Sequence, residues 1–522
     1  MRNQTLARKE ESQAIDSFDD VAQFEAIAEQ LVWPQTSWVG NAWVDCGTQQ
    51  TMPLRRSPVD GRILPALFEG DMALVDDAVS QARSAFHRGD WAHLSPASRK
   101  QVLLQMAVLL EAHATELCVM DCLSMGKPYA RLVQQDAVKA AECFRWFAEW
   151  IDKVQGEYVP ANGERIGWVE KTPLGVVAAI TPWNYPLENI AWKLAPALAA
   201  GNCVVLKPAE QSSYSALRFA QLAAQAGLPA HVLNVVVGSG ETVGQYLVEH
   251  PDVSAVFFTG SSRTGRTVCN SASRHRIKPV SVECGGKSPA LIWHGCSNLQ
   301  EAVEEVCGRV FGNAGQTCNA PSRLIVARPL LDQVRQIIVG ISGTHVPCDP
   351  RVGRPQHGAL CSHFDVERID ALVRTATDEG AELWVGGSPA DVVPGGAYYL
   401  PTVLGNVAPH GALAQQEVFG PVLSVFTVDH LDDAIALAND SRYALAAGIY
   451  TDHLGDALAF QRGVYAGNVY INGWGMDDIS VPFGGLGDSG NGTKDKGLRA
   501  FEKCFASRSI TICTKRRAPG PT

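Results

Sequence analysis

The sequence predicts an α/β fold with two parallel sheets and a small separate β arm. Short strands that are apolar on both faces alternate with helices in two series, as in "LGVVAAI", "CVVLKP", "VLNVVVG" and "VSAVFFTG", then in "SPALIW", "RLIVA" and "VLSVFTV". This alternation is typical of parallel sheets covered by helices. The segment "GEYVPANGERIGWVEKT" predicts a hairpin between the two series, and "ASRSITICTK" predicts the strand that pairs with it.

The elements that precede the first series are predicted to be helical. Residues 1–36 form a polar extension with a helical stretch in "FDDVAQFEAIAEQLV", and the sequence does not decide whether it packs on the surface or stays mobile. Helical periodicity then runs through "VDDAVSQARSAFH" and "SRKQVLLQMAVLLEAHATELCVMDCLSMG". The spacing of Cys118 and Cys122 favours one face of that helix over a metal-binding pair.

The composition describes a globular protein of several domains. The chain has 522 residues, of which 46% are hydrophobic and 19% charged, and its net charge is -10. This charge disfavours nucleic acid and anionic membranes as partners, and no apolar run approaches the ~20 residues of a membrane span. Residues 1–20 lack the apolar centre of a signal peptide, so we expect a cytoplasmic protein. We expect its 14 scattered cysteines to be reduced and to bind no metal.

Three strand ends carry residues that suit a dinucleotide. "GSGETVG" and "FTGSSRTG" each follow an apolar strand and begin a helix, where backbone N–H groups can bind phosphate. "LKPAEQS" places Lys207 and Glu210 at another strand end, where a cation and an acid can hold a ribose diol. The first turn has the spacing G-x-G-x-x-x-G instead of the usual fingerprint. Ordinary turn chemistry and a solvated loop therefore remain the alternatives.

Three further residues suit acyl transfer. Cys318 lies in the polar, glycine-punctuated segment "GNAGQTCNAPSR", whereas a free cysteine is usually a small core residue. Glu283 stands beside a glycine pair in "SVECGGKSP", and a partly desolvated carboxylate there can act as a general base. Asn184 follows a strand in "ITPWNYPLEN", and its amide can donate to an oxyanion. Taken singly, the glutamate can equally be a surface charge and the asparagine a turn residue.

Seven motifs together resemble those of the aldehyde dehydrogenase superfamily: "TPWNYP", "LKPAE", "FTGSSRTG", "VECGGKSP", "GNAGQTCNAPSR", "QEVFGPV" and "VPFGGLGDSGNG". They occur in the family's order with near-family spacing, from about residue 37 to about residue 510. The resemblance implies two Rossmann-like domains, one for the cofactor and one for catalysis, and a β arm for oligomerisation. The implied limits are 37–155 with 172–284 for the NAD-binding domain, 285–497 for the catalytic domain, and 156–171 with 498–522 for the arm.

The resemblance also assigns roles within the site. It implies that Cys318 is the nucleophile, that Glu283 is the base, and that Asn184 forms the oxyanion hole with the backbone N–H of Cys318. Glu210 favours NAD over NADP as the cofactor, because a carboxylate there repels the 2′-phosphate of NADP. The implied cofactor contacts are Lys207, Glu210, Gly240, Gly260, Ser261, Trp183, Glu417 and Phe419.

The implied reaction oxidises an aldehyde to a carboxylic acid and reduces NAD, through a cysteine thiohemiacetal and a thioester. Glu283 favours hydrolysis of the thioester, because relatives that transfer the acyl group to coenzyme A often lack this glutamate. A coenzyme A-acylating dehydrogenase and a catalytically silent scaffold remain the alternatives, and the presence of all three catalytic residues counts against the scaffold. Relatives are dimers or tetramers, so we expect a homodimer or homotetramer.

Within the superfamily, "FRWFAEWIDKVQGE", "DDISVPFGG" and "SGNGTKDKGLRAFEK" are most similar to the aminoaldehyde branch, especially the gamma-glutamyl-aminobutyraldehyde dehydrogenases. This implies an omega-amino or acylamino aldehyde from polyamine breakdown, with a generic aliphatic or aromatic aldehyde as the alternative. Candidate aromatic walls for an alkyl-ammonium chain are Tyr185, Trp192 and Trp474. Candidate carboxylates for its cationic end are Asp136, Asp477, Asp478 and Glu188.

The sequence departs from the family pattern in three places. Glu188 and Asn189 stand where the substrate tunnel is usually apolar, which predicts a more polar tunnel. Gly487 replaces the usual lysine. Ala506 stands where many members carry a glutamate that organises water around the base and Lys193, so slower deacylation or a different proton route is expected.

Overall fold

The computed structural model describes residues 15–45, 50–160, 165–475 and 478–513. The helices are α1 (Val21–Gln30), α2 (Met72–Arg88), α3 (Pro96–Ala112), α4 (Ala114–Met125), α5 (Tyr129–Arg131), α6 (Val138–Trp150), α7 (Pro186–Ala199), α8 (Ser213–Gln225), α9 (Gln245–Glu249), α10 (Ser262–Ala272), α11 (Leu299–Phe311), α12 (Leu331–Ile341), α13 (His363–Asp378), α14 (Ala412–Gln415), α15 (Leu431–Asn439), α16 (Leu454–Gly463) and α17 (Gly497–Glu502).

The strands are β1 (Trp38–Val39), β2 (Ala42–Trp43), β3 (Glu157–Val159), β4 (Arg165–Pro173), β5 (Val176–Thr181), β6 (Cys203–Pro208), β7 (Leu233–Val235), β8 (Ala255–Thr259), β9 (Val280–Glu283), β10 (Pro289–Ile292), β11 (Arg323–Ala327), β12 (Glu382–Val385), β13 (Pro389–Ala390), β14 (Tyr398–Tyr399), β15 (Thr402–Gly405), β16 (Val422–Val428), β17 (Tyr443–Ala444), β18 (Ala446–Tyr450), β19 (Asn468–Ile471), β20 (Leu486–Gly487) and β21 (Phe505–Cys513).

The first sheet has seven strands in the order β2-β1-β7-β6-β5-β8-β9. The five from β7 to β9 pair in parallel, whereas the short β1 adds antiparallel to β7 at the edge. The apolar strands β5 and β6 are almost wholly buried, because helices such as α2 and α7 pack on them. This confirms the parallel sheet predicted from the first series.

The second sheet also has seven strands, in the order β12-β15-β16-β11-β10-β18-β19. All its pairs are parallel except that of β12 with β15 at one edge. Its central strands β10 and β11 are buried along their whole length. The second predicted series therefore forms a sheet of its own, and the α/β fold class with two parallel sheets is confirmed.

The predicted β arm is a three-stranded sheet in the order β21-β4-β3. β21 pairs antiparallel with β4 over nine residue pairs, from Phe505 opposite Pro173 to Cys513 opposite Arg165. The sequence analysis predicted this pairing of two segments that are more than 300 residues apart. The limits of the domains and the role of the arm in oligomerisation stay predictions.

The described part of the N-terminal extension packs against the rest of the chain. Phe18 and Phe24 are buried, and both rings contact the ring of Tyr129. Glu25 on α1 forms an ion pair with Arg351 at 2.8 Å and accepts a hydrogen bond from Arg62. The sequence left open whether the extension packs on the surface or stays mobile, and these contacts show that its part within residues 15–36 packs. Residues 1–14 lie outside the described ranges.

The parallel sheets bring distant motifs to one edge. β5 leads directly to the segment with Asn184, β6 to Glu210, β8 to Ser261, and β9 ends at Glu283. Because these strands run in parallel, their carboxyl ends lie together, which is where ligands bind in open α/β sheets. Within the described ranges no single helix is long and apolar enough to span a membrane, although α3 with α4, bent by 66°, passes by length and composition.

Candidate active site

One cavity of about 1020 Å³ joins the predicted catalytic residues to the predicted cofactor residues. Cys318, Glu283 and Asn184 all line it. At one end it is also lined by the predicted cofactor contacts Lys207, Glu210, Gly240, Gly260, Ser261, Trp183, Glu417 and Phe419. At the other end it is lined by the predicted substrate contacts Tyr185, Glu188, Trp192 and Trp474.

Cys318 is held by a strained loop between α11 and β11. Asn313, Ala314 and Gly315 all have positive φ, at 52°, 53° and 72°. Only glycine fits the last of them, because a Cβ on Gly315 would lie 2.0 Å from the carbonyl oxygen of Gly420. Left-handed conformations cost energy for residues other than glycine and persist where the surrounding structure imposes them. The loop therefore fixes the backbone just before the thiol.

Gln316 supplies the hydrogen bonds that hold this loop. Its side-chain amide donates to the carbonyl oxygens of Asn313 at 3.1 Å and Ala359 at 3.3 Å, and its Oε1 accepts from the backbone N–H of Cys361 at 2.7 Å. The sequence analysis missed Gln316 and Asn313 as positioning residues. Their signal was present, since "GNAGQTC" places two amide side chains next to a thiol in a glycine-rich segment.

Burial raises the pKa of the Cys318 thiol to about 12, and the nearby carboxyl groups of Glu417 and Glu283 add to the shift. A partly buried thiol next to negative charge resists ionisation, because the thiolate loses hydration and is repelled. In the structure as it stands, Cys318 is therefore a protonated thiol that needs a base or a positive charge to become a nucleophile.

Asn184 lies beside Cys318 and is tied into the same loop. Its side-chain Nδ2 donates to the backbone carbonyl oxygen of Gln316 at 2.9 Å. The backbone carbonyl oxygen of Asn184 accepts from the side-chain Nδ2 of Asn313 at 3.1 Å. An amide nitrogen carries two hydrogens, so one N–H remains for a ligand oxygen. The side chain is buried, and a donor in a desolvated site stabilises an oxyanion more strongly than one in water.

Glu283 is buried at the carboxyl end of β9. Its Oε2 accepts from the backbone N–H of Gly485 at 2.9 Å, and its Oε1 has no hydrogen-bond partner among the described residues. Burial raises the pKa of Glu283 well above its usual value, and the charge of Asp495 raises it further. A carboxyl group with one oxygen fixed, the other unpaired and a raised pKa suits proton transfer to and from water.

A buried ion-pair network lies behind Glu283. Lys193 forms an ion pair with Asp495 Oδ2, and Lys503 pairs with Asp495 Oδ1 at 2.5 Å. Burial alone would raise the pKa of Asp495, but the two lysines outweigh it and lower the pKa to about 2. Asp495 is therefore an anion that fixes Lys193 next to the base.

This network corrects the interpretation of Ala506. The sequence analysis placed Ala506 at the position of the glutamate that serves Lys193, but Ala506 is exposed on the arm strand β21, opposite Thr172. The carboxylate beside Lys193 is Asp495 instead. Asp495 stands in "GNGTKDKG", eleven residues before Ala506. The expected defect in deacylation loses its basis.

The cofactor end has the groups that a dinucleotide needs. Lys207 at the end of β6 forms an ion pair with Glu210 at 2.8 Å, and a Cβ on Gly240 would lie 3.9 Å from that carboxylate. Ser261 caps α10 by accepting from the backbone N–H of Thr264 at 3.2 Å. A helix N-terminus at a strand end provides N–H groups and a positive dipole end for phosphate. These residues fit a dinucleotide with a free ribose diol.

Glu417, Phe419 and Trp183 lie between the cofactor end and Cys318. Glu417 Oε1 accepts from the backbone N–H of Gly286 at 3.2 Å, and burial raises the pKa of Glu417 to about 7. Phe419 has a positive φ of 50°, and its ring packs edge-on against Trp183 with centroids 5.4 Å apart. A partly buried carboxyl group and an aromatic pair near the thiol suit the ribose and the ring of a nicotinamide.

Arg55, which the sequence analysis missed, holds the loop that carries Glu210. Its guanidinium donates to the backbone carbonyl oxygens of Glu210, Gln211 at 2.8 Å and Ser124 at 3.4 Å. It also lies 5.7 Å from the centre of the Tyr214 ring. Burial lowers the pKa of Arg55, against the effect of Tyr214, but an arginine stays charged. Arg55 is therefore a partly buried cation that binds three carbonyl groups around the cofactor loop.

The substrate end differs from the expectation for Asp136. That aspartate is fully buried and forms a bidentate pair with Lys127, whose Nζ lies 2.8 and 2.7 Å from its two oxygens. The same Nζ lies 3.4 Å from the centre of the Tyr185 ring. Lys127 therefore already contacts both Asp136 and one face of Tyr185, which the sequence analysis had predicted to bind a cationic substrate.

The remaining predicted substrate residues divide into two groups. Glu188, Trp192 and Trp474 line the cavity, and the indole N–H of Trp474 donates to the carbonyl oxygen of Asn319, the residue after Cys318. Asp478 is exposed, does not line this cavity, and accepts from the backbone N–H of Ser480 at 2.8 Å. Asp477 lies outside the described residues. In the described ranges no cluster of three His, Cys, Asp or Glu side chains has the geometry of a metal site.

The family follows from comparison with known proteins. A model described as "Aldehyde dehydrogenase family" matches residues 43–510. The chain belongs to this family. The resemblance stated from seven motifs is thereby confirmed, and the aldehyde dehydrogenase shares the α/β architecture of its relatives.

Two curated relatives of this aldehyde dehydrogenase are each 40% identical to it. The aminoacetaldehyde dehydrogenase of Pseudomonas aeruginosa matches over 497 residues, which is 94% of this chain and 98% of the relative. The "NADP/NAD-dependent aldehyde dehydrogenase PuuC" of Escherichia coli matches over 457 residues, which is 87% of this chain and 91% of the relative. The crystal structure of gamma-glutamyl-gamma-aminobutyraldehyde dehydrogenase from Burkholderia cenocepacia is 40% identical, covers 95% of this chain and 99% of its own, and has a TM-score of 0.91.

Proposed function

We propose that this aldehyde dehydrogenase oxidises an aldehyde to the carboxylic acid with NAD as the electron acceptor. The observation that carries the proposal is the single cavity lined by Cys318, Asn184 and Glu283 together with Lys207 and Glu210. A nucleophile, an oxyanion donor, a base and the groups for a dinucleotide thus share one space. Taken singly, these residues can be explained as turn residues, surface charges or parts of a solvated loop. The fold does not require them to line the same cavity, so their shared position supports an active site.

The catalytic residues act one after another in the proposed reaction. The thiolate of Cys318 attacks the aldehyde carbon, and the second N–H of Asn184 donates to the oxygen that becomes negative. The chemistry that NAD supplies when bound is hydride acceptance, which converts the thiohemiacetal on Cys318 to a thioester. Glu283 then takes a proton from water, whose oxygen attacks the thioester and releases the acid and the thiol. The backbone N–H of Gly485 holds the base, and the charges of Asp495 and Lys193 act on its pKa.

The cofactor residues support NAD as the main acceptor. The carboxylate of Glu210, held by Lys207 at 2.8 Å, can accept hydrogen bonds from both hydroxyls of a ribose and would repel a 2′-phosphate. The name of the relative from Escherichia coli includes both nucleotides, so NADP belongs in the test. Hydrolysis is supported over transfer to coenzyme A by the buried Glu283, whose Oε1 is unpaired in the described structure.

The substrate is proposed to be an omega-amino or acylamino aldehyde, as in polyamine breakdown. The names of the relatives, which include aminoacetaldehyde and gamma-glutamyl-gamma-aminobutyraldehyde dehydrogenases, support this class. The polar lining by Glu188 and Asn189 supports it over a plain hydrocarbon chain. We also propose that the protein acts in the cytoplasm as a homodimer or homotetramer built through the arm.

The test is formation of NADH or NADPH by the purified protein with a panel of aldehydes. We expect NADH with amino or acylamino aldehydes, acid as the product without coenzyme A, and no activity in Cys318→Ala. A preference for hexanal or benzaldehyde would contradict the proposed substrate class but still support aldehyde oxidation. Activity that needs coenzyme A, or no activity with any aldehyde, would overturn the proposal.

A further inference from the structure

Asp495, which lies behind Glu283, has two basic partners. Its Oδ2 pairs with Lys193, and its Oδ1 lies 2.5 Å from the ammonium nitrogen of Lys503. All three side chains are withdrawn from solvent, since those of Lys193, Asp495 and Lys503 are 0%, 1% and 11% exposed. One carboxylate balances the charge of only one of these lysines. The second ammonium group therefore calls for a further explanation.

Lys503 is anchored to the strand that carries the base. Its ammonium group donates to Ser281 Oγ at 3.0 Å, and Ser281 lies two residues before Glu283 on β9. Side chains two residues apart on a strand point to the same face and are about 7 Å apart along it. The hydroxyl of Ser281 donates to Thr493 Oγ1 at 2.8 Å, which leaves its oxygen to accept from the ammonium group. The charge of Lys503 is therefore held on the face of β9 from which Glu283 projects.

The ring of Phe257 completes the surroundings of this ammonium group. Phe257 lies on β8 opposite Ser281, and the centre of its ring is 4.8 Å from Nζ of Lys503. A carboxylate, a hydroxyl and an aromatic face thus surround the three N–H groups of one lysine. Ordering a long lysine side chain costs conformational entropy, which a solvated surface lysine does not lose. The structure therefore fixes this charge in one place.

The charges behind Glu283 do not balance until Glu283 itself is counted. Lys193 and Lys503 contribute two positive charges, and Asp495 contributes one negative charge. Burial and the charge of Asp495 raise the pKa of Glu283, whereas Lys503 lowers it by more than the N–H of Gly485 or the charge of Lys193 does. An ionised Glu283 would make the group neutral, and a buried group of charges is most stable when it is balanced.

The other ionisable groups near Glu283 do not reverse this balance. Nζ of Lys494 donates to the carbonyl oxygen of Gly484 at 2.7 Å, and the charge of Glu283 acts to raise the pKa of this lysine. Burial raises the pKa of the thiols of Cys284 and Cys318 to about 12, so both are uncharged near neutral pH. These groups add no negative charge that could take the place of an ionised Glu283.

We propose that Lys503 is a positioning residue for hydrolysis of the thioester: it offsets the charge of Asp495, so that Glu283 can lose its proton and act as the base. The inference rests on the proposed function and adds a residue to its second step. Lys503 does not line the cavity, so it acts through these two carboxyl groups and not by contact with a substrate. Without its charge, Glu283 would remain a neutral acid, which cannot take a proton from water.

Lys503→Gln tests the proposal, because it removes the charge but keeps an N–H that can donate to Asp495. Near pH 7 the steady rate of NADH formation at saturating aldehyde and NAD should fall about fivefold to twentyfold. The ratio of this rate to that of the unchanged protein should return toward one above about pH 9, where Glu283 ionises in both. A burst of NADH should precede the steady rate near pH 7, because hydrolysis is slowed and hydride transfer is not. KM for NAD should change less than about twofold.

Two further variants separate the charge from the structure. Lys503→Arg keeps the positive charge and should restore most of the lost rate at every pH. Arg499→Gln is the matched control, because Arg499 lies on the same helix α17, is exposed and pairs with Glu502 at 2.8 Å. It should leave the pH profile unchanged. A loss in Lys503→Gln that is the same at every pH, or an equal loss in Arg499→Gln, would assign Lys503 a purely structural role and overturn the proposal.

Infrared spectroscopy reads the protonation of Glu283 without turnover. The carboxylic acid band that is absent in Glu283→Gln reports the neutral form, and in Lys503→Gln it should persist to a pH higher by about one unit. If no aldehyde is oxidised, the proposed function fails, and this band alone decides the inference. If Lys503→Gln does not fold, Ser281→Ala takes its place, because it removes the anchor on β9 and should shift the band less but in the same direction. A band that does not shift would overturn the inference and leave the dehydrogenase intact.

Discussion

At the scale of single residues, the site places its nucleophile and its base where both prefer their neutral forms. Burial raises the pKa of Cys318 to about 12 and holds the pKa of Glu283 well above its usual value. A thiol with a raised pKa becomes a thiolate only as the pH increases. A carboxyl group with a raised pKa likewise loses its proton, and so becomes a base, only at higher pH. Activity of this aldehyde dehydrogenase is therefore expected to increase from acidic to alkaline pH.

Alkylation of Cys318 tests the thiol directly. Without cofactor, its rate with iodoacetamide should rise about tenfold per pH unit between about pH 6 and pH 9, because only the thiolate reacts. Mass spectrometry of the peptide with Cys318 separates it from the exposed thiols Cys269 and Cys348. Cys318→Ser is the control for peptide assignment. A rate that levels off near neutral pH would contradict the raised pKa.

Replacing the base tests the order of the steps. Glu283→Gln keeps an oxygen that can accept from Gly485 but cannot take a proton from water. We expect a burst of NADH close to one per active site, followed by a steady rate reduced about a hundredfold or more. Stopped-flow absorbance measures both phases. Glu382→Gln, on the exposed β12, is the control, and a normal steady rate in Glu283→Gln would assign the proton transfer elsewhere.

At the scale of elements, the loop after β6 depends on a residue from another part of the chain. Arg55 binds the carbonyl oxygens of Glu210 and Gln211 and so fixes the carboxylate that is proposed to hold the ribose. Arg55→Met should raise KM for NAD about tenfold and change kcat less than about threefold, because the loop is positioned but does not react. Arg55→Lys should restore part of the affinity. Initial rates at saturating aldehyde measure both constants.

The neighbouring Arg56 provides a matched control for this prediction. It is exposed and donates to the carbonyl oxygen of Gly61 at 3.0 Å, away from the cofactor loop. Arg56→Met should leave KM for NAD unchanged. An equal effect of the two substitutions would mean that Arg55 acts through general stability and not through the loop.

The N-terminal helix α1 is a second element whose role the structure defines. Phe24 is fully buried and packs edge-on against Phe18, with centroids 5.3 Å apart. Phe24→Ala should lower the free energy of local opening by about 3 kcal/mol through the cavity that it leaves. Hydrogen exchange of α1 should become about a hundredfold faster, as mass spectrometry can measure. The exposed Phe364 offers a control, and unchanged exchange would show that α1 is held by its ion pairs alone.

At the scale of the whole molecule, the arm exposes apolar side chains that a partner subunit would cover. Tyr158, Ile166 and Ile512 are 71%, 42% and 47% exposed on the three-stranded sheet. Tyr158→Asp with Ile512→Asp should yield a smaller species in light scattering after size-exclusion chromatography, because charge in an interface core is unfavourable. The circular dichroism of each subunit should be unchanged. An unaltered mass would show that the subunit interface does not depend on the arm.

Some of the site could be predicted because its residues carry their chemistry in local patterns. Cys318 in a polar glycine-rich segment and Glu210 three residues after Lys207 are visible in the sequence, and the structure brings them to one cavity. Arg55 could not be predicted, because its partners are backbone carbonyl groups, which every residue has. The role expected at the position of Ala506 was wrong, because the carboxylate that pairs with Lys193 is Asp495, and the sequence does not show that contact.

The sequence by itself determined the family, the two parallel sheets, the pairing of the arm strands and the three residues of the proposed chemistry. These depend on local periodicity and on short motifs, which survive without knowledge of distant contacts. Only the tertiary structure decided which charges meet. The contacts of Lys127 with Asp136 and Tyr185, and the packing of α1 against Tyr129, join residues whose proximity no local pattern shows. Electrostatics in a buried space depends on distances, and a sequence does not contain them.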